Sequence, residues 1–400
     1  MFCFMCTDFS KVLGPDVQVK AQKDLSLGVY VHVPFCASTC DFCAFYHETP
    51  LRQDLLKFLK TIEAEFSKTT PIREVETAFW GGGTPGILPA GDLETLGNAQ
   101  ISHLGKPRKE WSIELAPSTV KADKLKVLKD LGFNRISLGV QSFDENMLQA
   151  LGRRQSAKMA RKAYDLIREA EFTIVNIDLM FAVPGQTEEQ WLQDLECVQE
   201  LAPEHVSTYC LTFEEDTALY VKLSEGKVTR DPENEARLYE KTWETLNHIG
   251  LHQYEISNFA RPGFECLHNI NTWRMQEWIG FGPSASSQYN GRRFTNDANL
   301  ETWIEGIENH SPVYMEESEL SEQEWAIDHL IFGLRMNAGV DLYRLQQQFP
   351  NSIHLPSLQQ RLNDWIEEGL AQEAGNHYSL TLQGRLVADR LGEELMDFQG

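Results

Sequence analysis

The chain has 400 residues, 42% of them hydrophobic, and 36 Lys and Arg against 59 Asp and Glu give a net charge of −23. That length carries two or three domains with a sizeable core. The charge repels phosphate backbones and anionic bilayers, which argues against nucleic acid as a partner and against a membrane surface.

The chain begins MFCFMCTDFSK, with no basic n-region and a very short apolar stretch, a poor signal peptide. Cys3 and Cys6 read as free thiols on a loose terminus, and residues 1–24 as a tail. No apolar run is long enough to span a bilayer. Eight cysteines in 400 residues do not form a disulfide scaffold, so a reducing, cytoplasmic location is expected.

Short apolar runs predict strands at roughly 28–34, 76–80, 111–115, 134–139, 173–180 and 205–212. Between them lie amphipathic helices. In 121–131, Leu125, Leu128 and Leu131 make one buried face, and Gly132 is the expected C-cap. In 188–201, Trp191, Leu195 and Val198 do the same. Six β-α units in a row imply a parallel sheet, either open or closed. Polar and glycine residues cluster at one end of every strand: the cysteine loop, Gly81-Gly82-Gly83-Thr84-Pro85, Glu114, Gln141, Asp178, and Thr212 with Glu214. In a barrel that end is the carboxyl face, where active sites are built. The expected α/β fold is therefore a partial (β/α)6 TIM-type barrel over 25–262, open on one side.

Residues 263–315, rich in Gly, Asn and aromatics, read as an irregular connection with short elements. From about 322 the pattern is helix, helix, helix, hairpin, helix, with a stripe of Leu358, Leu362, Trp365 and Ile366 and a hairpin over 370–382 turning at Gly375-Asn376. This predicts a small winged-helix-like α+β domain over 316–400. It carries fifteen acids, five Arg and no Lys, a net of −10, which suits packing or protein contact better than DNA reading.

Cys36, Cys40 and Cys43 are spaced Cys-x3-Cys-x2-Cys inside YVHVPFCASTCDFCAFY, on a loop leaving the first strand. Three thiolates can hold a [4Fe–4S] cluster by three irons and leave the fourth open to a small molecule. The alternatives are three buried thiols or zinc, although zinc wants four ligands in paired units and the partner pair is missing.

With the Gly81–Pro85 loop, these cysteines resemble the radical SAM superfamily. The resemblance implies that S-adenosylmethionine binds the open iron and that its reduction gives a 5′-deoxyadenosyl radical. The glycines would let backbone N–H groups approach the ligand's methionyl end. Tyr30-x-His32-x-Pro34-Phe35-Cys36, Phe42, Glu114, Gly139 to Phe143, Arg153 and Asn176 to Leu179 are similar to the coproporphyrinogen III dehydrogenase-like HemN and HemW group over roughly 25–400. Carried over, Tyr30, Gly82, Gly83, Thr84, Glu114, Gln141, Arg153 and Asp178 line the S-adenosylmethionine site. Taken singly, Glu114 and Asp178 could be helix-capping carboxylates and Arg153 a solvated charge.

The dehydrogenase branch has a further cysteine two residues after the third, where this chain has Phe45, as in the HemW branch. Ile256 to Asn269 also resembles that branch. The branch's heme-related motif is His-Asn-x-x-Tyr-Trp, here His268-Asn269-Ile270-Asn271-Thr272-Trp273 with threonine replacing tyrosine. His268 is either an axial heme ligand or a hydrogen-bonded histidine ordering a loop. Cys266 is either a thiolate ligand or a buried thiol, and Cys197 and Cys210 read as plain thiols. The resemblance implies a chaperone that binds heme as cargo and hands it to heme-receiving proteins, with an electron donor for its cluster. The rival implication is an oxygen-independent coproporphyrinogen III oxidase. A radical SAM methyltransferase has little support.

Overall fold

The computed structural model describes residues 26–69, 71 and 73–396. Cys3 and Cys6 lie outside the described residues. Strands β1 (Leu27–Val33), β2 (Val75–Gly82), β3 (Glu110–Leu115), β4 (Arg135–Gln141), β5 (Ile174–Phe181) and β6 (His205–Cys210) pair in chain order, all parallel. Each overlaps its predicted span. The helices between them end where local chemistry dictates. Thr187 and Gln190 form a capping box that starts Glu188–Leu201. Gly132, at φ 106°, closes Ala122–Leu131.

Alternation along the strands sorts their side chains. Val29, Val31, Trp80, Ile113, Leu138 and Ile177 point outward and are buried with helix residues such as Phe58, Leu96, Leu128 and Trp191. The inward set is polar: Thr77, Glu110, Ser112, Arg135, Ser137, Asn176, His205 and Ser207 are all buried. A barrel interior is normally filled by apolar layers. Here it is a hydrogen-bonded polar interior beneath the carboxyl face.

Two short strands, β7 (His252–Gln253) and β8 (Asn258–Ala260), follow and lie antiparallel beyond β6. The stretch read as an irregular connection holds helix Leu267–Trp273 and strands β9 (Glu277–Phe281), β10 (Ser286–Tyr289) and β11 (Arg292–Asn296). With β12 (Tyr314–Glu319), these strands extend the sheet past β1, and β9 runs parallel to β1. The order runs from β12 at one edge to β7 at the other, so the barrel is open.

Residues beyond 320 form helices Glu322–Arg335, Leu342–Gln348, Leu355–Glu367, Leu382–Leu386 and Ala388–Met396 around a small sheet. That sheet holds β13 (Val340–Asp341), β14 (Ala371–Ala374) and β15 (His377–Leu380), in the order β13-β15-β14. Gly375, at φ 67°, makes the predicted hairpin turn. Leu330, Leu334, Leu358, Leu362, Trp365 and Tyr378 form a second core. This unit docks on the barrel through Asn337, whose N–H donates to Tyr254 O at 3.0 Å and whose Nδ2 donates to Gln253 O at 2.7 Å. Among the described residues no helix is long and apolar enough to cross a membrane.

Candidate cluster and cofactor site

The cysteine loop leaves β1 and is held on three sides. Cys36 N–H donates to Glu48 O at 2.9 Å, and Glu48 N–H donates back to Pro34 O at 2.7 Å. Asp41 N–H donates to Leu151 O at 3.1 Å, and the Asp41 carboxylate pairs with Lys222 at 2.6 Å. Phe42, between two cysteines, packs against a small core of Met147, Leu151, Met180, Leu211 and Leu219. All three thiols are half-buried and free of disulfides. Burial pushes the Cys36 thiol up to about 11, with the Thr84 hydroxyl at 3.4 Å working the other way. Burial also raises Cys43, whose sulfur accepts the Phe45 N–H. Among the described residues no three His, Cys, Asp or Glu side chains converge as ligands of a single ion do. A cluster needs only one thiolate per iron.

The glycine loop is stitched to the cysteine loop. Gly83 N–H donates to Val33 O at 2.9 Å and Thr84 N–H to Phe35 O at 2.7 Å. Gly82 N–H serves Glu114. These N–H groups are therefore spent on the protein, and the glycines answer a different demand from the one expected. A Cβ on Gly82 would lie 2.7 Å from the His32 ring, and one on Gly83 would lie 2.6 Å from Phe35 O. Gly82 also sits at φ +103°, where L side chains are strained.

Behind the loop stand the strand-end polar groups. Tyr30 O–H lies 3.2 Å from His32 Nδ1, and His32 Nε2 lies 3.2 Å from Tyr46 O. A carbonyl only accepts, so Nε2 carries the ring proton and Tyr30 donates to Nδ1. Burial lowers His32 to about 4, which keeps it neutral. Glu114 is pushed up to about 8 by burial and by the neighbouring Asp178. Burial raises Asp178 against hydrogen bonds from Ser137 (2.9 Å), Asn176 (2.7 Å) and Ser207. Arg153 Nη1 donates to Cys40 Sγ at 3.4 Å and Nη2 to Gly139 O at 2.9 Å, while its buried Nε has no partner among the described residues. Gln141 ends β4 at φ 71° beside a register shift, a bulge that turns the chain at the rim.

His268 lies at the other end of the strands from the cysteines, inside the barrel. It is 7% exposed, stacks on Phe79 at 5.5 Å, and its Nδ1 is 3.1 Å from Thr77 Oγ1. Burial lowers it to about 4. Its segment is latched by the buried Glu110–Arg135 pair at 2.9 Å. Glu110 accepts from Leu267 N (3.2 Å), His268 N (3.0 Å) and Cys266 Sγ (3.3 Å), and Arg135 donates to the Phe264 and Glu265 carbonyls. Thr272 Oγ1 turns back to His268 O at 3.1 Å. The structure thus brings together Tyr30, Cys36, Cys40, Cys43, Gly82, Gly83, Thr84, Glu114, Gln141, Arg153 and Asp178, and sets His268 apart at the barrel floor.

The sequence reading passed over Tyr209. It shares the inward face of β6 with His205 and Ser207, is 38% exposed, and feels Asp178 and Glu114. Its odd-numbered place after His205 and Ser207 was the available signal.

Residues 30–198 match the radical SAM superfamily and 320–387 the HemN C-terminal domain. Heme chaperone HemW of Bacillus subtilis is 33% identical over 371 residues, 90% of this chain and 97% of that protein. The chain belongs to the HemW family. Heme chaperone HemW of Escherichia coli K12 is 30% identical, covering 92% of this chain and 97% of that one. The bovine radical S-adenosyl methionine domain-containing protein 1, mitochondrial, is 31% identical, covering 91% and 82%. The solved coproporphyrinogen III oxidase HemN of Escherichia coli superposes with a TM-score of 0.82 at 24% identity, covering 94% and 91%, and shares the fold.

Radical SAM membership implies a [4Fe–4S] cluster and S-adenosylmethionine. The residues present fit both. Three free thiols sit on one braced loop. Burial raises the proton affinity of two neighbouring acids, and Asp178 raises that of Glu114 further, an arrangement that a ligand's ammonium relieves. The open Nε of Arg153 is a donor awaiting an anionic group.

Proposed function

We propose that this chain is a heme chaperone that binds heme and passes it to heme-dependent proteins. Cys36, Cys40 and Cys43 hold one [4Fe–4S] cluster, and Tyr30, Gly82, Gly83, Thr84, Glu114, Gln141, Arg153 and Asp178 line the S-adenosylmethionine site. When bound and reduced, the pair supplies radical chemistry. Its electrons come from a separate donor protein. Arg153 presents a cation toward a carboxylate, and Glu114 with Asp178 presents acceptors toward an ammonium or ribose hydroxyls.

The observation that carries the reading is near-full-length similarity to HemW chaperones. Phe45, at the position of the dehydrogenase branch's extra cysteine, supports it. Phe45 is 43% exposed and offers no sulfur to a second ligand. His268 is the proposed heme ligand. Its Nδ1 is engaged by Thr77, while its Nε2 makes no hydrogen bond among the described residues, as in metal-binding imidazoles. Ligation requires helix Leu267–Trp273 to shift from the barrel floor. The rival reading, a coproporphyrinogen III oxidase, draws on the fold shared with HemN. Anaerobic incubation of the reconstituted protein with heme, and separately with coproporphyrinogen III, separates the two.

A further inference from the structure

One hydrogen-bonded chain runs from the rim acid Asp178 to the segment that carries His268. Asn176 Nδ2 faces three oxygens: Asp178 Oδ1 at 2.7 Å, Ser137 Oγ at 2.7 Å and Ser207 Oγ at 2.9 Å. Its amide oxygen therefore meets His205 Nδ1, at 2.7 Å, and that nitrogen carries the proton. His205 Nε2 is then bare and accepts the Tyr254 O–H at 2.9 Å. Tyr254 in turn accepts the Cys266 N–H at 3.3 Å. The two Nδ2 protons are shared among the three oxygens, and from the Asn176 amide oxygen onward every donor and acceptor along the chain is fixed. The Tyr254 backbone is itself pinned, its N–H to Asn258 O at 3.1 Å and its carbonyl to Asn337 N at 3.0 Å. The longest link is the one at Cys266.

We propose that occupancy of the cofactor site at Asp178 is transmitted to the Cys266–Trp273 segment through Asn176, His205 and Tyr254. The inference rests on the placement of S-adenosylmethionine at Asp178. A ligand that engages the Asp178 carboxylate changes the pull on Asn176, and buried hydrogen bonds in series polarise one another. His205 and Tyr254 are positioning residues in this scheme: neither touches the cofactor. The helix bearing His268 is held tighter when the cofactor is bound, which opposes the shift that heme ligation requires, so cofactor and heme compete over one structural element.

The test is hydrogen exchange followed by mass spectrometry on the anaerobically reconstituted full chain, with and without S-adenosylmethionine, with binding measured in parallel by calorimetry. In the wild type the cofactor slows exchange across Cys266 to Trp273 by about 2- to 10-fold, the worth of one hydrogen bond. Tyr254→Phe keeps the ring, removes the link and loses this slowing while still binding the cofactor. His205→Gln breaks the chain at a second link and gives the same loss. Cys266→Ala retains the slowing, because its backbone N–H still reaches Tyr254. Bound cofactor without slowing in the wild type, or equal slowing in Tyr254→Phe, overturns the coupling alone. Failure of the wild type to bind the cofactor overturns the coupling together with the site assignment.

Discussion

Arg153 Nη1 donates to the Cys40 sulfur at 3.4 Å, joining the loop after β4 to the cysteine loop after β1. The contact places a permanent cation against the Cys40 sulfur and close to Cys36 and Cys43, whose thiols burial raises and this guanidinium lowers. A thiolate is the ligand form, and a nearby guanidinium favours it. The glycine loop adds the Thr84 hydroxyl at Cys36. Cluster loop, glycine loop and strand ends thus form one assembly, from which the following outcomes are expected.

Anaerobic reconstitution should load about four iron and four sulfide per chain, as one [4Fe–4S] cluster requires. Cys36→Ala, Cys40→Ala or Cys43→Ala should each remove most of the visible charge-transfer absorbance. A triple variant with full iron and sulfide content would contradict the assignment.

On the proposed site, Asp178→Ala removes a carboxylate partner of the cofactor. Hydrogen bonds to charged groups are worth about 1.5–3 kcal/mol, so the variant should bind S-adenosylmethionine roughly 10- to 100-fold more weakly. Gly82→Val should be harsher, because its Cβ meets the His32 ring and its backbone sits at φ +103°. Calorimetry on cluster-loaded protein reads both, and unchanged binding in both folded variants would sink the placement.

Glu65 ties helix Arg52–Lys68 to the added strands. It accepts from Gly282 N at 2.8 Å, Asn296 Nδ2 at 2.9 Å and Trp303 Nε1 at 3.3 Å. Burial nevertheless pushes its carboxyl from 4.5 up to about 7. The folded state therefore holds this proton more tightly than the unfolded chain does. The resulting stability is full below pH 4.5 and is lost as pH rises through about 7. Between pH 5.5 and 8, Glu65→Gln should lose less of its denaturation midpoint than the wild type. Parallel pH dependence in the two proteins would refute this.

Much of this organisation was legible in the sequence. Strands β1 to β6 alternate apolar residues against short polar ones and stand between amphipathic helices, so period and spacing located them. Strands β9 to β11 were not legible as sheet. Their residues, Glu277 to Asn296, are mixed in polarity, and β9 finds its partner in β1, far away in sequence. The cysteines were visible from spacing alone. The reason for the glycines was not, because it lies in the His32 ring and the Phe35 backbone. Likewise the burial of His268 depends on Thr77, Phe79 and Glu110, which no local pattern around residue 268 announces.

The reduced, cluster-loaded protein should not convert coproporphyrinogen III with S-adenosylmethionine under anaerobic conditions. Chromatography of the porphyrin products checks this. A divinyl product with release of carbon dioxide would transfer the assignment to the oxidase despite Phe45.

The central claim is heme binding, and anaerobic heme titration of the cluster-loaded protein followed at the Soret band tests it most directly. A saturable band is expected in the wild type, clearly weakened in His268→Ala; if His268→Ala keeps the full band, Cys266→Ala identifies whether a thiolate supplies the ligand instead. A wild-type titration indistinguishable from free heme would contradict the chaperone account.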